Sequence, residues 1–237
     1  MHTFLDINVD VGEGLNNEAQ FMPFISSCNI ACGGHAGDFE IMTKNVKLAK
    51  QHHVKIGAHP SFPDKTHFGR EIIEISSANL YTTLKKQIRS LLNVLIKEHL
   101  QLHHIKPHGA LYNLAAKDKR TANIIIEVVK SIAYPIKLYA PYGSVIAKLA
   151  SEQNIPVTFE AFADRHYNHD LSLVSRTNKN AVIIDTDKAI KHVEQIILGK
   201  VKTINGIEVK IKADTFCVHG DNPNAIQIIK GLKEHFG

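Results

Sequence analysis

The feature that most constrains this chain is a repeated order. A short apolar run is followed by a polar block with glycine or proline, then by a longer amphipathic stretch. The apolar runs read as strands at Phe4–Val11, Ser27–Ala31, Val54–Ala58, His103–Lys106, Ile136–Ala140, Val157–Glu160 and Thr215–Val218. Helical patterning covers Asp38–His53, Ser77–His99, Asp118–Ala133, Ser144–Asn154, Asp187–Leu198 and Pro223–Phe236. In the second of these, Leu80, Leu84, Ile88, Leu91 and Leu95 recur at three- and four-residue steps, which is one face of an α-helix. Ser77 and Asp118 read as helix N-caps. Alternating strands and helices imply βαβ units and a parallel sheet. The expected fold is α/β: an irregular (β/α) barrel of about seven mostly parallel strands, one domain over residues 1–237. One departure is the run 201–211, where Asn205-Gly206 between alternating stretches signals a hairpin before the last strand.

In parallel barrels the active site lies at the C-terminal ends of the strands. Six of the seven expected strands end there in acid, base or amide side chains. The first runs through Asn8 and Asp10, which share a face with Asp6 by the period-two rule, to Glu13 in a glycine-flanked turn. The second gives Asn29 and then His35; the third gives His59 and Asp64, with Phe68-Gly-Arg70 beyond. The fourth gives Lys106 and His108, the sixth Glu160, Asp164 and Arg165, and the last His219 and Asp221. A single histidine or aspartate after a strand is usually a loop hydrogen bonder. Six such blocks at equivalent places point to one shared pocket.

Composition narrows the class. Lys plus Arg is 28 against 23 acids, a formal charge of +5, and the basic pairs sit on expected helix faces. Tryptophan is absent and the aromatics are scattered, so no nucleic-acid surface is expected. No apolar run approaches the roughly 20 residues that cross a bilayer, and the start lacks the pattern of a secretory signal. Three cysteines suggest no disulfide framework, and a cytoplasmic setting is expected. Cys28 reads as core. Cys32 reads as a loop residue without an activating base nearby in sequence.

Together the blocks Asp6-x-Asn-x-Asp-x-Gly-Glu-Gly14, Asn29-Ile-Ala-Cys-Gly-Gly-His-Ala-Gly-Asp38, Gly57-Ala-His-Pro-x-x-x-Asp64, Lys106-Pro-His-Gly-Ala-Leu-Tyr-Asn113, Phe162-Ala-Asp-Arg165 and Val218-His-Gly-Asp-Asn-Pro223 resemble the LamB/YcsF family over nearly the whole chain. That family is similar to the A component of a three-subunit bacterial 5-oxoprolinase. The resemblance implies ATP-dependent opening of the 5-oxoproline lactam to L-glutamate, ADP and phosphate, working with subunits B and C. It implies a barrel akin to those of glycoside hydrolases and polysaccharide deacetylases, with ATP and its Mg²⁺ as cofactors. Three positions depart from the family pattern: Val9 replaces a cysteine, Glu71 an arginine and Leu171 a glycine.

Opening a resonance-stabilised lactam needs a general base and groups that hold developing negative charge. Candidates for catalysis are Asp10, Glu13, His35, His59, Lys106, His108, Glu160, Asp164 and His219; candidates for substrate or phosphate binding are Asn8, Asn29, Arg165 and Asp221. No G-x-x-x-x-G-K-[ST] loop is present, so an ATP site here lacks the usual phosphate cradle or is completed by a partner. Asp10, His35, His59, His108 and His219 are also weighed as metal ligands, but no H-x₃₋₄-H pair follows a strand, and no metal residue is assigned. Two other readings stand beside this one: a metal-dependent deacetylase or amidase acting alone, and a non-catalytic binding subunit.

Overall fold

The structure, a computed structural model, describes residues 5–237. Seven strands close into an all-parallel barrel: β1 (Ile7–Val11), β2 (Ser27–Ala31), β3 (Lys55–His59), β4 (His104–Ile105), β5 (Lys137–Pro141), β6 (Val157–Phe162) and β9 (Thr215–Cys217). Consecutive strands pair in that order, and β9 closes the ring by pairing with both β6 and β1. The expected barrel is therefore present. Phe4, where the first expected strand begins, lies outside the described residues.

The helices are α1 (Glu18–Phe21), α2 (Phe39–Gln51), α3 (Ser77–Lys97), α4 (Gly109–Ala115), α5 (Lys119–Lys130), α6 (Val145–Glu152), α7 (Thr186–Ile197) and α8 (Ala225–Phe236). The apolar face read from the sequence of α3 is the buried one: Leu80, Leu84, Ile88, Leu91 and Leu95 pack into the core. Each such side chain contributes roughly 1.5–3 kcal/mol on burial. The N-cap of α3 is Ser76 rather than Ser77, its hydroxyl accepting from the Asn79 N–H at 3.2 Å. Asp118 caps α5 as expected. The short α1 and α4 were not expected. Beyond the barrel, β7 (Lys200–Lys202) and β8 (Glu208–Lys210) form the antiparallel hairpin, with Gly206 at φ +82° in its loop.

Side chains alternate along each strand. On β1 Ile7, Val9 and Val11 are buried with the helices, and Asn8 and Asp10 take the inward face. The barrel interior is consequently polar, unlike the layers of branched aliphatics usual in such folds. It is held by a chain of hydrogen bonds. His104 Nε2 donates to Asn29 Oδ1 at 2.6 Å, Asn29 Nδ2 donates to Asn8 Oδ1 at 2.8 Å, and Asn8 Nδ2 donates to Thr215 Oγ1 at 3.0 Å. Position 57 must be glycine, because a Cβ there would run into the His104 ring. That ring stacks on Tyr139 with centroids 3.8 Å apart.

Candidate active site

The strands end at one mouth, and the residues just beyond each strand are held by extensions of the sheet ladder. β4 is only two residues long, yet Lys106 N donates to the Ala58 carbonyl and His108 N to the Pro60 carbonyl, both at 2.9 Å. Lys106 and His108 thus stay in register with β3 although no strand is assigned there. The mouth opens into a cavity of about 430 Å³, lined among others by Asp10, Glu13, His59, Lys106, His108, Arg165, His219 and Asp221. A second cavity of about 390 Å³ adjoins it across Tyr112, Asn113, Phe162 and Leu173, and Glu160 lines that one.

Lys106 sits in the centre, 2% exposed. Its Nζ donates to Asp10 Oδ1 at 3.0 Å and lies 2.8 Å from Glu160 Oε1; Asn8 Oδ1 and Cys217 Sγ stand at 3.3 and 3.2 Å. The contact with Glu160 is an ion pair by distance, but neither Glu160 oxygen accepts a well-directed hydrogen bond. Burial works against the ammonium, but Asp10, Cys217 and Glu160 outweigh it and hold the Lys106 pKa well above its ordinary value. Burial would raise Asp10, yet His59 and Lys106 keep its carboxyl well below the usual range. Asp10 Oδ1 also accepts from Asn29 Nδ2 at 2.8 Å, so one oxygen is anchored twice and the other, Oδ2, faces His59 Nε2 at 3.4 Å.

Beside this hub lies a histidine cluster. His35 Nε2 is 2.9 Å, His108 Nδ1 3.2 Å and His59 Nε2 3.8 Å from the same oxygen, Glu13 Oε1. His35 and His108 stack at 3.6 Å, nearly parallel. Burial pushes His35 down to about 4 and also lowers His108. One ligand atom from each of Glu13, His35, His59 and His108 lies within 4.8 Å of the others, a spacing that suits a metal ion. The set differs from the one weighed in sequence. Glu13 enters, Asp10 stands beside it, and His219 is engaged elsewhere.

His219 Nδ1 donates to Asp164 Oδ1 at 2.9 Å, and its ring stacks on Phe162. Asp164 is buried. Burial would raise its carboxyl, but His219 and Asn222 keep it low. Arg165 lines the cavity but spends its guanidinium on the Val174 and Ala181 carbonyls, at 2.6 and 3.3 Å. That fixes the segment 163–185, which runs from β6 to α7 beside the mouth. Leu171, where the family pattern has glycine, takes φ +63° in this segment.

Of the expected site residues, Asp10, Glu13, His59, Lys106, His108, Arg165, His219 and Asp221 share the cavity, with His35, Glu160 and Asp164 touching them. Asn8 and Asn29 do not reach it. They are fully buried beneath Asp10, hydrogen-bonded to each other. Asp221 is itself clamped by Arg70 and Arg176, each at 2.9 Å, so at the rim the arginines and not the acid suit an anion. The sequence reading assigned no role to Cys217, Arg70 or Arg176: Arg70 stands in a block already singled out and Cys217 in an expected strand, whereas Arg176 lies in a loop with no motif. Burial drives the Cys28 and Cys32 thiols up to about 12, so neither is a poised nucleophile.

A closed parallel barrel with carboxylates, imidazoles and an ammonium gathered where its strands end is a (β/α)-barrel protein of the kind whose active sites lie at that end. The chain belongs to the LamB/YcsF family, whose family model matches residues 5–236. It is 40% identical over 230 residues to the A subunit of 5-oxoprolinase from Histophilus somni (strain 129Pt), covering 97% of this chain and 93% of that protein. It is likewise 40% identical over 236 residues to the protein of that name from Staphylococcus aureus (strain JH9), covering 97% and 94%. The crystal structure of a lactam utilization protein from Thermus thermophilus superposes with a TM-score of 0.91 at 36% identity, covering 98% of this chain and 95% of that one. A putative cellobiose-phosphate cleavage protein from Enterococcus faecalis V583, at 13% identity and a TM-score of 0.58, covers 97% of this chain and 90% of its own and shares the fold alone. Among the described residues no helix is long and apolar enough to cross a membrane.

Proposed function

We propose that this chain, acting as one barrel domain over residues 1–237, is one component of a cytoplasmic ATP-dependent 5-oxoprolinase in which the 5-oxoproline lactam is opened to L-glutamate. One observation carries the reading. In a chain about 40% identical to relatives named for that activity, an oriented carboxylate and a fixed ammonium meet in a cavity sized for a small ring.

The chemistry follows from the geometry. Water adds to the carbonyl carbon, the ring C–N bond breaks, and the nitrogen leaves with an added proton. Asp10 is the base: Lys106 and Asn29 hold Oδ1, leaving Oδ2 to take the proton of the attacking water. Lys106 places its charge where the oxyanion, or a phosphoryl group on that oxygen, develops. His219, held by Asp164, is the acid for the leaving nitrogen. Arg70 and Arg176 at the rim suit the substrate carboxylate or a phosphate. No phosphate loop is present in the sequence, so ATP with its Mg²⁺ binds at a site that subunits B and C supply or complete.

The test is glutamate release from 5-oxoproline by this chain, with and without ATP and the two partners. Turnover should require all components. Asp10→Asn should lower the rate of the complete system by about 10²–10⁴-fold. Full turnover by the chain alone, without ATP, would refute this reading. It would favour the independent amidase, for which the histidine cluster speaks.

A further inference from the structure

Backbone carbonyls fix the orientation of two rings in the histidine cluster. His59 Nδ1 lies 2.8 Å from the Lys106 carbonyl, and His108 Nε2 lies 2.9 Å from the Phe68 carbonyl. A carbonyl oxygen only accepts, so each of these nitrogens donates. The remaining nitrogen of each neutral ring is a bare lone pair. In the neutral rings those two lone pairs, His59 Nε2 and His108 Nδ1, face each other at 3.0 Å, and against the pull of burial Asp10 and Glu13 favour positive charge at this point, raising the His59 pKa. Glu13 Oε1 adds a third acceptor, 3.2 Å from one and 3.8 Å from the other. His35 Nε2 completes the group. Buried acceptors do not converge in this way without something positive between them.

We propose that Glu13, His35, His59 and His108 bind one divalent ion of the Zn²⁺ class. Bonds of about 2.0–2.1 Å to a tetrahedral ion place its ligand atoms roughly 3.3 Å apart, against 3.0, 3.2 and 3.8 Å among His59, His108 and Glu13 here. Three imidazoles and one carboxylate select a borderline transition ion, whereas Mg²⁺ and Ca²⁺ take all-oxygen shells. A histidine ligand backed by a hydrogen bond from its other nitrogen is the usual arrangement at metal sites, and His59 and His108 both have it. Glu13, His59 and His108 line the cavity while His35 does not, so the ion is reached from the substrate side. With a fifth position opened toward the cavity, such an ion would act as a Lewis acid toward a carbonyl oxygen. That use rests on the lactam reading, whereas the binding does not.

The test is a titration of the whole purified chain, freed of metal by chelator, with Co²⁺ and then Zn²⁺. One Co²⁺ per chain should bind, with the visible absorption of a four-coordinate nitrogen–oxygen site, and one Zn²⁺ should displace it. His59→Ala and Glu13→Gln should each weaken Co²⁺ binding by about 10²-fold or more with unchanged circular dichroism. His235→Ala, on the surface beside Glu194, should change nothing. The wild-type titration decides even if a variant misfolds. No stoichiometric uptake, or uptake indifferent to His59 and Glu13, overturns the proposal and leaves a shared proton as the occupant of the gap. A chain that binds Co²⁺ as described but never supports 5-oxoproline opening refutes the lactam reading and keeps the site. A chain that supports opening and binds no ion refutes the site alone.

Discussion

Two buried polar regions share the barrel mouth and are built differently. Around Lys106 a single strong donor meets acceptors on all sides: Asp10, Glu160, Asn8 and Cys217. These partners come from β1, β6 and β9, so the hub ties distant strands across the barrel. Around Glu13 acceptors outnumber donors, and all four residues come from the stretch between β1 and α4. The first region is built around a buried ammonium, with Glu160 paired to it by charge alone, and the second has no lysine or arginine at its centre. Both are buried and both perturb their titratable groups, so neither property separates structural from functional chemistry. What differs is the resident cation, which Lys106 supplies in the first region and no lysine or arginine supplies in the second.

The comparison breaks most directly at Lys106. Lys106→Met leaves Asp10 and Glu160 as uncompensated buried charges, and should cost about 3–5 kcal/mol in denaturant unfolding. At 2% exposure Lys106 is a keystone of the interior. A loss under about 1 kcal/mol would mean that the hub does not hold the interior together.

A buried histidine outside both regions supplies a reference. His192 on α7 is 7% exposed, and burial, with His166 nearby, brings its pKa down to about 4. The unfolded chain therefore takes up this proton first. Stability is full above about pH 6.5, falls as pH drops toward 4, and levels off below. The shift corresponds to roughly 3 kcal/mol at 1.36 kcal/mol per unit. His192→Leu should lose correspondingly less stability than wild type between pH 7 and pH 4.5. Equal losses would show that His192 is not kept neutral by its surroundings.

Asn29 joins the hub to the interior chain, donating to Asn8 and Asp10 and accepting from His104. Asn29→Ala strands those partners and should cost about 1–3 kcal/mol in thermal or chemical unfolding. The smallest expected effect sharpens the contrast. His35 Nδ1 has no hydrogen-bond partner among the described residues. In chelator, His35→Leu removes the unsatisfied Nδ1 together with the Nε2 contact to Glu13, whose Oε1 keeps His108 at 3.2 Å, and should cost about 1 kcal/mol. A loss as large as that of Lys106→Met would erase the distinction.

Strand–helix alternation made the barrel legible, and period-two alternation placed Asp10 on the cavity side. The gathering of His59, His108 and His219 followed from their places after strands. The features that stayed hidden did so for physical reasons. Asn8 and Asn29 look like ligand binders, because a strand's inward residue reads the same whether it stops beneath the floor or reaches the mouth. β4 looked longer because the ladder continues past it through single hydrogen bonds at Lys106 and His108. Arg176 has no local signal, since its role depends on a loop folding back to Asp221. The facing lone pairs of His59 and His108 depend on two carbonyl contacts that no spacing encodes.

The confinement of the histidine cluster to the first four strands has a consequence for how the molecule is made. β1 to β4 pair consecutively, so during synthesis all four ligands leave the ribosome well before β9 exists. An occupant of that cluster can dock on a half-built barrel and hold its early strands in register. Lys106 emerges with them but waits for Glu160 and Cys217, which makes its hub a checkpoint on ring closure.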